Sequence, residues 1–195
     1  MNVLLAFSRL IDGLNTRIGQ AVTWLVLVAV IISAANAVVR KLFDYSSNAY
    51  LEVQWYLFSA IFLLCAGYTL YRNEHIRIDV ITSRFSRRTQ TWVDIIGTVF
   101  FLFPMVALVL YEAWPWFVRT LVSGEISSSA GGLILWPAKI LVPIGFVLLG
   151  LQGASELIKR IAFLKGAAPD PSERLGDKRA EADLAAEILK QRGDG

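Results

Sequence analysis

Four long apolar runs, separated by short polar stretches, dominate the sequence. Residues 18–39, 51–71, 92–118 and 133–163 carry their few charges toward their ends. Each reaches the roughly 20 residues an α-helix needs to cross about 30 Å of hydrocarbon. A soluble protein could hide one such helix in its core, but not four. The pattern predicts an all-α integral membrane protein with four spans. Before the first span, Leu4, Phe7, Leu10, Ile11 and Leu14 recur at helical spacing, with Ser8, Arg9, Asp12 and Asn15 between them. Residues 1–17 therefore read as an amphipathic helix lying in the membrane interface, or equally as a helix packed on a partner. After 163, Pro169-Asp170-Pro171-Ser172 breaks structure. The charged remainder to 195, with Leu184, Ile188 and Leu189 as its one weak helical face, reads as a mobile cytoplasmic tail.

The first run needs separating from a signal peptide, since Arg9 and Arg17 precede it and Ala35-Asn36-Ala37 resembles a cleavage site. A signal h-region is about 7–15 residues long. This run is longer and closes on Arg40-Lys41, which favours an uncleaved span.

Composition agrees. The 195 residues are 55% hydrophobic and 18% charged, against about 25% charged in ordinary soluble domains. Mean hydropathy is +0.54. A net charge of +3 is too small to suggest a nucleic-acid partner. The single cysteine, Cys65, allows no intrachain disulfide and reads as a packing residue. The placement of the basic residues says more than their sum. With four spans, Arg9, Arg17, Arg72, Arg77, Arg84, Arg87, Arg88, Lys159, Arg160 and Lys165 share one side. Only Arg40, Lys41, Arg119 and Lys139 fall on the other. The positive-inside bias puts both termini in the cytoplasm.

Polar groups inside spans are functional candidates by default. Glu52 and Gln54 stand at the outer start of the second span, suited to capping or a partner contact. Glu112 is close to Trp114 and Trp116 and so belongs near the outer interface. Glu156 precedes Arg160 by one helical step, and Asp94 opens the third span, where its charge suits the helix dipole. None of these is a mid-membrane acid fit to carry an ion alone. One histidine, His75, cannot supply paired haem ligands. The carboxylates and Cys65 show no metal-ligand spacing, and no glycine-rich phosphate loop is present. No catalytic, cofactor-binding or metal-ligating residue is expected, and the chain does not read as an enzyme.

The most informative loop is Arg72-Asn73-Glu74-His75-Ile76-Arg77-Ile78-Asp79, followed by Arg84, Arg87 and Arg88. Two readings stay open. It is a basic loop held to anionic lipid, at about 1 kcal/mol per basic residue. Otherwise it is an ion-pair network, Arg77 with Asp79 or Asp94, that orients the second and third helices.

Here the sequence resembles a family, the DctQ-like small membrane subunit of tripartite ATP-independent periplasmic (TRAP) transporters. The resemblance rests on Glu52 with Trp55-Tyr56 and on Ala66-Gly67-Tyr68-Thr69-Leu70. It continues through Asn73, His75-Ile76-Arg77-Ile78-Asp79 and Asp94, all on a four-span chain. Ser127-Ser128-Ser129-Ala130-Gly131-Gly132 and Trp136-Pro137-Ala138-Lys139 are similar to its mannitol/chloroaromatic subgroup. The resemblance implies a bacterial inner-membrane protein in sodium-coupled secondary transport of a small organic acid or related solute. It also implies a large membrane subunit that carries the substrate and ion sites, and a periplasmic binding protein. The small subunit would brace the large one and help dock the binding protein. Glu52, Trp55, Tyr68, His75, Arg77, Asp79 and Asp94 become candidates for structure or partner contact. Arg119 and Glu125 in the outer loop are candidates for docking. Ala29, Ala34, Ala35, Ala37, Gly67, Gly97, Gly145, Gly150 and Gly153 would permit close helix packing. The competing readings are a self-contained oligomeric transporter using Glu112 or Glu156, and a membrane anchor for a soluble enzyme.

Overall fold

In the computed structural model, which describes residues 2–43, 48–73, 85–129 and 132–169, the four apolar runs are four long helices. The first is α1 (Asn2–Phe43) and the second α2 (Asn48–Tyr71). The third is a rod made of α3 (Arg87–Gly97), a π-helical turn (Thr98–Leu102) and α4 (Phe103–Ser123). The last is α5 (Trp136–Leu164).

The local chemistry of the rod explains its pieces. Ser86 caps α3, its Oγ accepting from the Thr89 N–H at 3.3 Å. Pro104 has no N–H to give, so the helical ladder is interrupted where the π turn sits. There the Phe103 N–H reaches back to the Thr98 carbonyl. At the far end Gly124, at φ 61°, closes α4 on the Thr120 carbonyl. Pro115 and Pro143 lie inside α4 and α5, where neighbouring helices make such breaks tolerable within a membrane.

Helix α5 is the hub. It packs against α1, α2 and the α3–α4 rod, and α1 and α2 also pack on each other. The rod leans on α5 with no comparable contact to α1 or α2. Three helices thus form a triangle and the fourth stands at its side. Two glycines set how closely the triangle closes. A Cβ on Gly145 would stand 2.8 Å from both Leu63 Cβ and the Leu63 carbonyl oxygen. One on Gly67 would collide with Asn15 Oδ1. Gly150 and Gly153 also face close neighbours, whereas Gly97 faces open space and Ala34, Ala35 and Ala37 are exposed.

The N-terminal segment is continuous with the first span. At 42 residues, α1 is about 63 Å long, about twice the hydrocarbon thickness. Within residues 1–17, several polar side chains face the protein. Ser8 and Asn15 are fully buried against α5 beside Ile11, while Leu4, Phe7, Leu10 and Leu14 point outward. The physical reason is the solvent: lipid is as apolar as leucine, so only polar side chains have something to gain from facing one another. The expected boundary near residue 17 has no counterpart in the helix itself.

Candidate functional site

Two polar assemblies occupy opposite ends of the bundle. The first lies at the end shared by the start of α1, the end of α2, the start of α3 and the end of α5. Gln152 stands at its centre, fully buried. Its amide donates to Asp12 Oδ1 (2.8 Å) and Glu156 Oε1 (3.2 Å), and its carbonyl accepts from Asn15 Nδ2 (2.8 Å). Ser155 Oγ also donates to Asp12 Oδ1 (2.8 Å), so in the 2.6 Å contact between Ser8 and Ser155 hydroxyls Ser8 is the donor. Lys159 pairs with Asp12 Oδ2 at 3.2 Å and with Glu156, and sits 5.0 Å over the ring of Tyr71. Arg160 reaches Asp94 Oδ2 through Nη2 (3.1 Å) and Nε (3.2 Å), and Glu156 Oε2 at 3.5 Å. Helices α1, α2, α3 and α5 are thereby joined through side chains with little exposure to the outside.

The second assembly holds the loop between α4 and α5. Ile126 and Ile134 face each other in an antiparallel bridge, with Ser127 N–H to Leu133 carbonyl (2.9 Å) and Leu135 N–H to Glu125 carbonyl (3.0 Å). Glu52, buried in the first turns of α2, accepts from the Leu133 N–H at 2.7 Å and from the Ser127 hydroxyl. Tyr56 OH donates to the Ile134 carbonyl at 3.0 Å. On the other flank Lys139 Nζ donates to Glu125 Oε2 and Thr120 Oγ1, both at 2.6 Å, and lies 4.5 Å from the Trp116 ring centre. The hydrogen bonds from Lys139, then Thr120, hold the Glu125 carboxyl below its usual pKa, against a smaller opposing effect of burial. This loop is a stapled hairpin, and both isoleucines of its bridge are exposed.

The candidates from sequence fall in five groups. Glu52 and Glu125 belong to the stapled loop, and Asp94 belongs to the network at the other end. Asp94 lies two turns beyond the Ser86 cap, past the reach of a helix-end dipole. It pairs with Arg160. Tyr68 is half-buried with its ring against Gly19. Trp55 and Arg119 are exposed. His75, Arg77 and Asp79 lie outside the described residues, and with them the proposed pairing of Arg77 with Asp79 or Asp94. Of the two carboxylates a self-contained transporter would use, Glu112 is exposed and Glu156 is taken up by Lys159, Arg160 and Gln152.

Sequence reasoning missed Asp12, Gln152, Ser155 and Lys139 as partners. A usable signal existed in three of them. Gln152, Ser155, Glu156 and Lys159 recur at i, i+3, i+4 and i+7, a polar stripe along one face of an otherwise apolar helix. Ser8, Asp12 and Asn15 repeat the same spacing on α1.

Among the described residues no group of three or more His, Cys, Asp or Glu side chains could hold a metal ion. Comparison with curated proteins and with solved structures finds no match. The family model for the DctQ component of tripartite ATP-independent periplasmic transporters matches residues 13–163. That range contains the four spans and both polar assemblies except Ser8 and Asp12, and the chain belongs to this family, the small membrane component of TRAP transporters.

Proposed function

We propose that this chain is the static brace of a sodium-coupled importer of a small organic acid or related solute, with both termini in the cytoplasm. It widens the scaffold of the large membrane subunit and offers its outer loop to the periplasmic binding protein. The observation that carries this reading is the fate of four carboxylates, Glu52 and Glu156 buried and Asp12 and Asp94 partly so. Asp12, Glu52, Asp94 and Glu156 are each engaged by a donor of this same chain. A coupling carboxylate has to alternate between ion and proton or between open and closed surroundings, and one tied to a lysine and an arginine does not. Substrate and ion chemistry is thereby assigned to the large subunit. The basic residues collected at the end of the bundle that holds the termini support the orientation.

The stapled hairpin supports the docking role. A loop held by a buried carboxylate at one flank and an ion pair at the other presents its exposed side chains in one geometry, which lowers the ordering cost of binding. Arg119 and Glu125 now separate into different parts. Both are exposed, but the Glu125 carboxylate is tied to Lys139 of this same chain, which leaves Arg119 as the side chain available to a partner. The test is sodium-dependent uptake by the whole complex at limiting binding protein. Arg119→Ala should raise the concentration of binding protein needed for half-maximal uptake, with the rate at saturation kept. An unchanged requirement removes Arg119 from the docking surface. Failure of the chain to co-purify with a larger membrane subunit would remove the brace itself.

A further inference from the structure

The hairpin between α4 and α5 carries its polar and apolar faces in the reverse of the order that water favours. Ile126 and Ile134 stand directly opposite each other, flanked by the bonds from Ser127 N–H to Leu133 carbonyl and from Leu135 N–H to Glu125 carbonyl. That pattern makes them a pair without hydrogen bonds of its own, whose side chains share one face with Cβ atoms about 4.5–5.5 Å apart. Residues to either side turn the other way. There the Glu125 carboxylate accepts from Lys139 and Thr120, and the Ser127 hydroxyl donates to Glu52. Polar groups are held inward, while the two isoleucines are 61% and 49% exposed. An antiparallel pair with one face in water turns its apolar side inward instead.

Depth supplies the reason. Glu52 is the fifth residue of α2, about 6 Å inside the end of that helix. Its carboxylate accepts from the Leu133 N–H, and Tyr56, one turn deeper, donates to the Ile134 carbonyl. Helical side chains lean toward the N-terminus, so both bonds are made about one turn below the start of α2. The hairpin is thus sunk beside α2 and does not stand above it. With 24 residues α2 is about 36 Å long, against about 30 Å of hydrocarbon. One turn in from its end is therefore the edge of the apolar layer. Tryptophans mark the same level, as they do at membrane interfaces. Trp55 precedes Tyr56, Trp116 lies against Lys139 and Trp136 follows Ile134 by two residues, all three exposed. The isoleucine pair is accordingly continuous with the lipid-facing surface of the spans. Backbone at this depth needs partners from the protein, and Glu52 and Tyr56 supply them. A loop above the membrane would find them in water.

We propose that this hairpin is seated in the membrane, with Ile126 and Ile134 inserted at the headgroup–acyl boundary of the leaflet at that end of the bundle. Their partner is a lipid surface. Because the hairpin ties α2 to α4 and α5, this seating fixes how deep that end of the bundle sits. The docking role proposed above then falls to exposed polar side chains such as Arg119 and Ser128, and the seating does not depend on it.

The unaltered full-length chain in phosphatidylcholine vesicles would be photolabelled in two ways, and adducts located by peptide mass spectrometry. One reagent is a phosphatidylcholine with a diazirine near its ester; the other is a water-soluble diazirine present on both sides of the membrane. At Ile126 and Ile134 labelling from lipid should exceed labelling from water, as at Trp55, and Ser128 should show the opposite ratio. Labelling of the pair from water that equals or exceeds labelling from lipid overturns the proposal. The same comparison on the assembled transporter, with its large subunit and binding protein, tests the rival occupant. Lipid adducts that persist at the pair support the seating; their loss on assembly gives the isoleucines to a protein partner and overturns it.

Discussion

The two ends of this molecule are tied in different ways. At the end holding Asp12 and Arg160, side chains join helix to helix, and the partners are buried or half-buried. At the other end, Glu52 and Lys139 join helices to a loop, and one of the groups they hold is the backbone N–H of Leu133. The first arrangement fixes how the helices sit against one another in a solvent that offers them no hydrophobic reason to associate. The second leaves the helices alone and fixes a surface. Rigidity of the bundle and rigidity of the loop are therefore separable, and substitutions should tell them apart.

The largest effect is expected at Arg160, whose side chain is 6% exposed. Arg160→Ala leaves Glu156 and Asp94 without this cation, and losing one partner of a buried pair costs about 3–5 kcal/mol. Unfolding in mild detergent, followed by circular dichroism, should show a marked loss of stability. Little change would mean that water or lipid headgroups already serve those carboxylates.

Next comes the packing that brings the network together. Gly67→Val has to displace Asn15, whose amide feeds Gln152, and overpacking of this kind costs about 1–3 kcal/mol. Combined with Asn15→Ala, the glycine substitution should lose much of its effect, because the two side chains compete for one space. Additive losses would show that Gly67 acts through another neighbour.

A smaller, local effect should follow Glu52→Gln. The neutral side chain keeps its shape but gives up two charge-assisted hydrogen bonds, a change of about 1–2 kcal/mol. Hydrogen exchange should quicken at Leu133 and Ser127, with the melting of the bundle nearly unchanged. A global loss instead would erase the distinction between the two ends.

The smallest effect is expected from acid. The Glu125 carboxyl is held below its usual pKa by Lys139 and Thr120. Its contribution to the loop is therefore full above the ordinary carboxylate value of about 4.3. It should be lost as pH falls through the depressed value. Exchange at Ser127 and Leu135 should accelerate over that window alone, and Glu125→Gln should flatten the dependence.

Much of the fold was legible because lipid imposes a length and a composition. The run 51–71 had to be α2, and 133–163 had to contain α5, whatever their neighbours. Glu52 was legible as a cap or contact at the outer start of the second helix, but not as the anchor of Leu133, 81 positions away. Asp94 was legible as a charge at a helix start, and its Arg160 partner lies 66 positions off. The N-terminal stretch misleads most. Leu4, Phe7, Leu10 and Leu14 suggest a helix with its polar side in water, yet Ser8, Asp12 and Asn15 turn to α5.

The sequence by itself determined four membrane-crossing helices, their order and the family to which they belong. These follow from the cost of unsatisfied backbone in hydrocarbon, which acts on each segment separately. Only the tertiary structure decided that α5 is the hub, that the α3–α4 rod stands aside, and which carboxylate meets which cation. Those outcomes depend on helix rotation and depth, and in lipid these are fixed by contacts between distant residues such as Gly67 with Asn15 or Asp94 with Arg160.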